Sequence, residues 1–307
     1  MANLFLDSTP KLASEAVVES VGTWDHRLQL FSDCMRTSVD QGLDQTATHW
    51  ISEGFVLTET LSAGGLVFEA VLLSEARFSE LKIKPGSIRS HQWFVAPAAL
   101  LHEVAGFKFH GGMMGLGRRP PRSEVEDLLL QSKSSGRGIV ITAGVKSQDN
   151  LGLIIRTAKA LGWAGVVTTP DAGDPWSRRV LRQSMGASAF IPVVQSPYLG
   201  QTLTAIRHHK MTLVGAALTD SALSPEGVAT VIGTGTAPRI ALLLGNEHEG
   251  LTPALIEACD HLVRIPMIPG HDSLNVAVAA GILLWHWSPL RHSELDHQIV
   301  DTFQGHS

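Results

Sequence analysis

The sequence is poor in cysteine, in surplus positive charge and in long apolar runs, and each shortage removes a class of protein. Its two cysteines, Cys34 and Cys259, lie far apart in 307 residues and without metal-ligand spacing. That predicts no disulfide framework, no zinc site and a reducing cytoplasm. Read alone, both thiols are small buried hydrophobes. The formal net charge is -5 at pH 7, so the chain lacks the overall basic footprint of many nucleic-acid binders, and any such role must rest on local clusters. The best apolar run, Val276 to Trp287, is shorter than the ~20 residues that span a bilayer. The opening MANLFLDSTPKLASE has no basic region before an apolar core, so no secretion or membrane signal is expected. No strand is followed by G-x-G-x-x-G or by a Walker A loop, which argues against a dehydrogenase or an NTPase. Internal repeats and low-complexity segments are also missing.

The remaining composition, 44% hydrophobic and 17% charged, is that of an ordinary globular chain, long enough for two domains. Residues 1–24 show no periodicity and read as an extension. Residues 25–115 alternate helical and strand patterns and form a small α/β unit without recognisable catalytic spacing. The stretch FKFHGGMMGLGRRPPRSE interrupts every period, and its glycines match no phosphate-cradling pattern, so a flexible linker is expected over 116–136. His110 reads as a linker residue. From Arg137 to about residue 290, strands alternate regularly with helices, which implies a mainly parallel sheet covered on both faces. Residues 291–307 are left as a tail.

Two basic clusters stand out against the acidic total. Arg118, Arg119 and Arg122 fall in the expected linker, and Arg178, Arg179 and Arg182 fall on an expected helix. Each cluster is either a solvated surface or a set of phosphate contacts.

The chemistry is concentrated in the last hundred residues. The buried strand Arg239-IALLL-Gly245 breaks at GNEHEG, and Thr252 with Pro253 then start a helix as N-cap and first-turn residue. A short strand reaching Ile265 and Pro266 enters a polar loop, and Ser273 is the expected N-cap of a long apolar helix. Asn246 and Glu249 have capping-box spacing. Such turns at the carboxyl ends of strands present free N-H groups to ligands.

Three stretches, Asp149-Asn150-Leu-Gly-Leu-Ile-Ile-Arg156, Leu244-Gly245-Asn-Glu247-His-Glu-Gly250-Leu, and Ile265-Pro266-Met267 with Ser273-Leu274-Asn275-Val276, occur in this order on strand-to-helix turns. Together they resemble the three signature motifs of SPOUT-class RNA methyltransferases, above all the SpoU or TrmH family of RNA 2'-O-ribose methyltransferases. The resemblance covers about residues 137 to 288. More loosely, the Ile51-Ser-Glu53-Gly54 turn resembles the ribosomal-protein-like substrate-binding domain of rRNA-directed members. It implies an α/β fold with a trefoil knot, S-adenosylmethionine as cofactor, no metal, and a homodimer with its active site bordering the interface. By position, Leu244, Gly245, Ile265, Met267 and Leu274 match cofactor contacts, and Asn150, Arg156, Glu247, Ser273 and Asn275 match catalytic and supporting positions. The two arginine clusters become candidate RNA contacts. Many relatives have Asp-Pro shortly before the motif Asn, where this chain has Ser147-Gln148-Asp149. The expected activity is RNA ribose 2'-O-methylation, with rRNA favoured over tRNA by the N-terminal unit. A tRNA methyltransferase and a non-catalytic ribosome-assembly factor are the rivals.

Overall fold

The computed structural model describes residues 10–12, 18–36, 48–83, 88–233, 239–268, 270 and 273–292. The chain divides into two units, one of residues 1–121 with 174–190 and one of 122–173 with 191–307. Most of the tail, 293–307, lies outside the described residues.

Unit 1 contains β1 (Lys11–Leu12), β2 (Val18–Ser20), α1 (Gln29–Arg36), β3 (His49–Glu53), α2 (Phe55–Ala63), β4 (Phe68–Ser74), α3 (Glu75–Ile83), β5 (Arg89–Ala96), α4 (Ala98–Ala105) and β6 (Met113–Arg118). Its mixed sheet has the order β1-β5-β4-β6-β3, with β2 also pairing β5. Successive residues of β4 face opposite ways, as the strand period requires. Leu72 joins a core with α1 and α4 residues, while Val71 and Leu73 join one with Leu57 and Leu61 of α2.

Two sequence expectations are corrected here. Part of the extension over 1–24 belongs to the sheet, because β1 and β2 pair with β5. The linker over 116–136 is instead the end of a central strand followed by a helix. Strand β6 lies between β4 and β3, and its glycines are demanded by packing. A Cβ at Gly115 would overlap the Phe68 ring, and one at Gly117 the Trp50 ring. Glycines that read as punctuation therefore make room for two buried aromatic side chains.

Unit 2 begins with α5 (Val125–Ser135), β7 (Ile139–Thr142), α6 (Gln148–Ala160) and β8 (Gly165–Thr168). The chain then returns to unit 1 with α7 (Arg178–Gln183), whose Leu181 lies in the α2-facing core. Unit 2 resumes with β9 (Val193–Gln195), α8 (Leu199–His208), β10 (Thr212–Ala216), α9 (Pro225–Ile232), β11 (Ile240–Leu244), α10 (Pro253–Ala258), β12 (His261–Val263) and α11 (Val276–His286). All six strands are parallel, in the order β12-β10-β11-β7-β8-β9. The central strands β7, β8 and β11 are buried at every residue, which is why they read as unbroken apolar runs. Strands β8 and β9 extend to one side of β7 and the later strands to the other. The carboxyl ends of β7 and β11 therefore flank a topological switch point, where open α/β sheets bind ligands.

Candidate active site

Three loops meet at that switch point, each launched from the carboxyl end of a parallel strand. After β7, Ser147 caps α6, its Oγ accepting from the Asn150 N-H at 3.3 Å. Leu151, Ile154, Ile155 and Ala158 then bury one face of this helix. The helix starts at Gln148, so Gln148, Asp149 and Asn150 form its first turn. Ser147 supplies the helix-start chemistry of this segment.

After β11, Gly245 lies so close to Gly250 that a Cβ would overlap its backbone. Reciprocal Asn246 and Gly250 backbone hydrogen bonds close this turn, and Gly250 has φ +68°. Asn246 Oδ1 accepts from the His248 and Glu249 N-H groups at 2.9 and 3.3 Å, and its Nδ2 donates to the Gly144 carbonyl at 2.7 Å. This is a side-chain-braced turn, with the next helix beginning only at Pro253. The capping-box spacing of Asn246 and Glu249 thus serves the turn, with one of the two bonds formed and no helix following directly.

The third loop follows β12, which ends at Val263 rather than reaching Pro266. Asn275, not Ser273, caps α11; its Oδ1 accepts from Ala277 N at 2.8 Å and Val278 N at 3.2 Å. Ser273 is exposed two residues earlier.

A polar relay ties the loops together. Asn275 Nδ2 donates to Asn150 Oδ1 at 3.0 Å, and Asn150 Nδ2 donates to Glu247 Oε1 at 3.1 Å. Glu247 also accepts from Ser147 N at 3.0 Å and Lys146 N at 3.2 Å. Burial alone would raise the Glu247 pKa, but the hydrogen bonds from Asn150 and the backbone outweigh it, and the carboxyl sits below the usual glutamate value. Glu247 is thus an ionised staple with little basicity to spare.

Beside the relay lies a cleft of about 520 Å³. Asn150, Glu247, Ser273 and Asn275 line it, and so do all five expected cofactor positions, Leu244, Gly245, Ile265, Met267 and Leu274. Arg156 is not among its lining residues; it is exposed on α6, its side chain making no hydrogen bond or ion pair among the described residues. Arg264 and Glu249 also line the cleft. Sequence reasoning passed over Arg264, which belongs to no motif residue set.

The arginines of unit 1 sort differently from expectation. Arg119 forms a two-pronged pair with Asp174, one arm at 3.1 Å, and its side chain is 18% exposed. Arg178 pairs with Glu53 at 3.0 Å and is 19% exposed. Arg118 donates to Glu69 at 2.9 Å but keeps half its surface in solvent, and Arg182 is 64% exposed. Arg179 is exposed, as is Arg122, which falls in unit 2. Among the described residues, no group of three or more His, Cys, Asp or Glu could hold a metal ion, and no helix is long and apolar enough to cross a membrane.

Fold and site together define a SPOUT-class methyltransferase domain. An AdoMet-bound rRNA methyltransferase from Sinorhizobium meliloti aligns over 90% of this chain and 98% of its own, with a TM-score of 0.68 at 22% identity. The SpoU methyltransferase AviRb from Streptomyces viridochromogenes, in complex with AdoMet, aligns over 88% and 99% with a TM-score of 0.69 at 21% identity. In sequence, the model of the SpoU rRNA Methylase family matches residues 137–285. An uncharacterized tRNA/rRNA methyltransferase of Mycobacterium bovis is 30% identical over 262 residues, 85% of this chain and 88% of that protein. The 23S rRNA (guanosine-2'-O-)-methyltransferase RlmB of Pasteurella multocida is 32% identical over 60% of this chain and 74% of its own length. The chain belongs to the SpoU rRNA methylase family.

Proposed function

We propose that this protein transfers a methyl group from S-adenosylmethionine to a ribose 2'-hydroxyl of RNA, with rRNA as the substrate class. The observation that carries the reading is the Asn275–Asn150–Glu247 relay, which gathers three family motifs around one cleft. The residues present fit the cofactor. A cleft of about 520 Å³ walled by Leu244, Ile265, Met267 and Leu274 suits a ligand with a flat apolar end. At Gly245 the chain approaches Gly250 too closely for any side chain.

When bound, S-adenosylmethionine supplies an activated methyl group together with its own leaving group. The protein's share is alignment, and well-oriented reactions gain on the order of 7 to 11 kcal/mol in this way. The relay fixes the α6 and α11 N-termini against the β11 turn. Arg156 grips the phosphate beside the target ribose and polarises the 2'-hydroxyl. A guanidinium, planar with five N-H donors and no acceptor, is suited to that role and poorly suited to removing a proton. Glu247, already holding three N-H donors, supports the loops.

We further infer a cytoplasmic homodimer whose active site borders the interface. Val278, Ile282 and Trp285 form an exposed apolar stripe on α11, at 52%, 42% and 52% exposure. Exposed Leu153 shares a helical face with Arg156 on α6, and α6 packs against α11. The trefoil knot implied by the family is supported by the strand order. The chain passes outward to β10, returns to insert β11 beside β7, and leaves again for β12 before α11 folds back on α6. Unit 1 is assigned as the RNA-binding domain.

The test is ribose-methylation mapping of total rRNA and tRNA from cells with and without the gene, complemented by wild type or Arg156→Ala. One rRNA mark should disappear in the deletion and return only with wild type. A tRNA mark would redirect the substrate assignment, and no changed mark would favour an assembly factor. In vitro, Arg156→Ala should lower kcat by at least ~100-fold, the scale of losing one transition-state contact, while calorimetry finds S-adenosylmethionine affinity unchanged.

A further inference from the structure

We propose that the loop at 107–112, together with Arg182, forms a face on unit 1 that stacks an unpaired RNA base and holds the adjoining phosphates. This rests on the RNA methyltransferase reading above.

The observation is an exposed aromatic ring that the protein holds from behind. Phe107, on the loop between α4 and β6, is 45% exposed. Its ring meets the buried Phe109 edge-on, with centroids 6.2 Å apart at 71°. The Arg178 guanidinium carbon sits 5.3 Å from the Phe107 centroid. Arg178 is itself immobilised by Glu53 at 3.0 Å, with Met35 Sδ at 4.0 Å. A buried ring and a tethered cation therefore fix Phe107 in place. Its remaining surface is presented to solvent with little rotamer freedom left to lose on binding.

The surroundings have the charge that such a platform needs for RNA. Lys108 and His110 follow Phe107 one and three positions on and are exposed. Arg182 is 64% exposed, 4.0 Å from Glu53, whose own side chain is only 12% exposed. The acid is turned inward and the cations outward. Single-stranded nucleic acid matches both features, since bases stack on aromatic faces while phosphates track basic groups. A duplex hides its base faces and would meet only the cations. An apolar peptide would leave the cations unmatched.

On this account Arg178 is a positioning residue behind Phe107 and Arg182 is the phosphate contact, although sequence alone gave them one role.

The experiment measures binding of the full-length protein to a labelled single-stranded oligouridine of about 12 nucleotides, and to a duplex of equal length, across a salt series. Phe107→Ala should weaken single-strand binding about tenfold, leave duplex binding unchanged and keep the salt slope. Phe107→Trp should restore affinity. Arg178→Ala should behave like Phe107→Ala, whereas Arg182→Ala should flatten the slope by about one contact. Calorimetry with S-adenosylmethionine reports on unit 2 and circular dichroism melting on overall folding. If Phe107→Ala folds and binds the single strand like wild type, or loses single strand and duplex equally, the stacking face is refuted while the methyltransferase reading stands. If wild type binds the cofactor but not the single strand, the stacking face falls, and the methyltransferase reading falls only if methylation mapping also finds no changed mark.

Discussion

At the scale of single residues, Glu247 separates two roles that one motif position could serve. Its carboxylate accepts from Asn150 Nδ2 and from the backbone of Lys146 and Ser147, and its pKa is held below the ordinary value. Because the folded state favours the charged form, Glu247 contributes stability that is present above its unfolded value of about 4.5 and lost as pH falls through the lower folded value. Activity near neutrality should therefore show no inflection from this group, and the three-loop site should loosen only in acid below about pH 4.5. Glu247→Gln replaces one acceptor oxygen with a donor that faces another N-H. Charge-assisted hydrogen bonds contribute ~1.5 to 3 kcal/mol each, so a loss of ~10- to 100-fold in methyl transfer is expected. A pH-rate profile in which a pKa near neutrality disappears in Glu247→Gln would instead make this residue the base.

At the scale of elements, the start of α11 joins folding to function. Asn275 gives its Oδ1 to two helix N-H groups and its Nδ2 to Asn150. Asn275→Ala should cost ~1 to 2 kcal/mol in urea unfolding, the range for losing an N-cap, and should also impair methyl transfer. Ser273→Ala should alter stability by less than ~0.5 kcal/mol, because an exposed side chain without a capping bond has little to lose. Equal destabilisation by the two substitutions would contradict this division of labour. The capping residue was misread from sequence because Ser273 and Asn275 are both good N-caps at the edge of the same apolar run. Only the position where the chain turns into helix chooses between them.

At the scale of the whole molecule, the chain passes between its units three times, at 121–122, 173–174 and 190–191. Residues inside the family-matched span therefore complete the core of unit 1, with Leu181 packed among Leu57, Leu61 and Trp50. The exposed stripe of α11 belongs to this scale too. Ile282→Lys should convert a dimer to a monomer in sedimentation velocity and abolish methyl transfer, with the fold retained by circular dichroism. A wild type that sediments as a monomer at micromolar concentration would remove the dimer from the proposal.

The sequence by itself determined the parallel architecture of the second unit and which turns its candidate site is gathered from. Runs such as Ile240–Leu244 can lie only in a sheet covered on both faces, and Asn150, Glu247 and Asn275 fall on the turns such a sheet places together. Tertiary structure alone decided the rest. The β6 glycines read as a hinge because the rings that require them, Trp50 and Phe68, are remote in sequence. Arg119 and Arg178 read as solvated surface charge or RNA contacts because their partners, Asp174 and Glu53, lie 55 and 125 positions away along the chain. Local pattern reports which side chains want burial or a strand end. It carries no information about which distant group will meet them, and that meeting sets the final role of a glycine, an arginine or a cap.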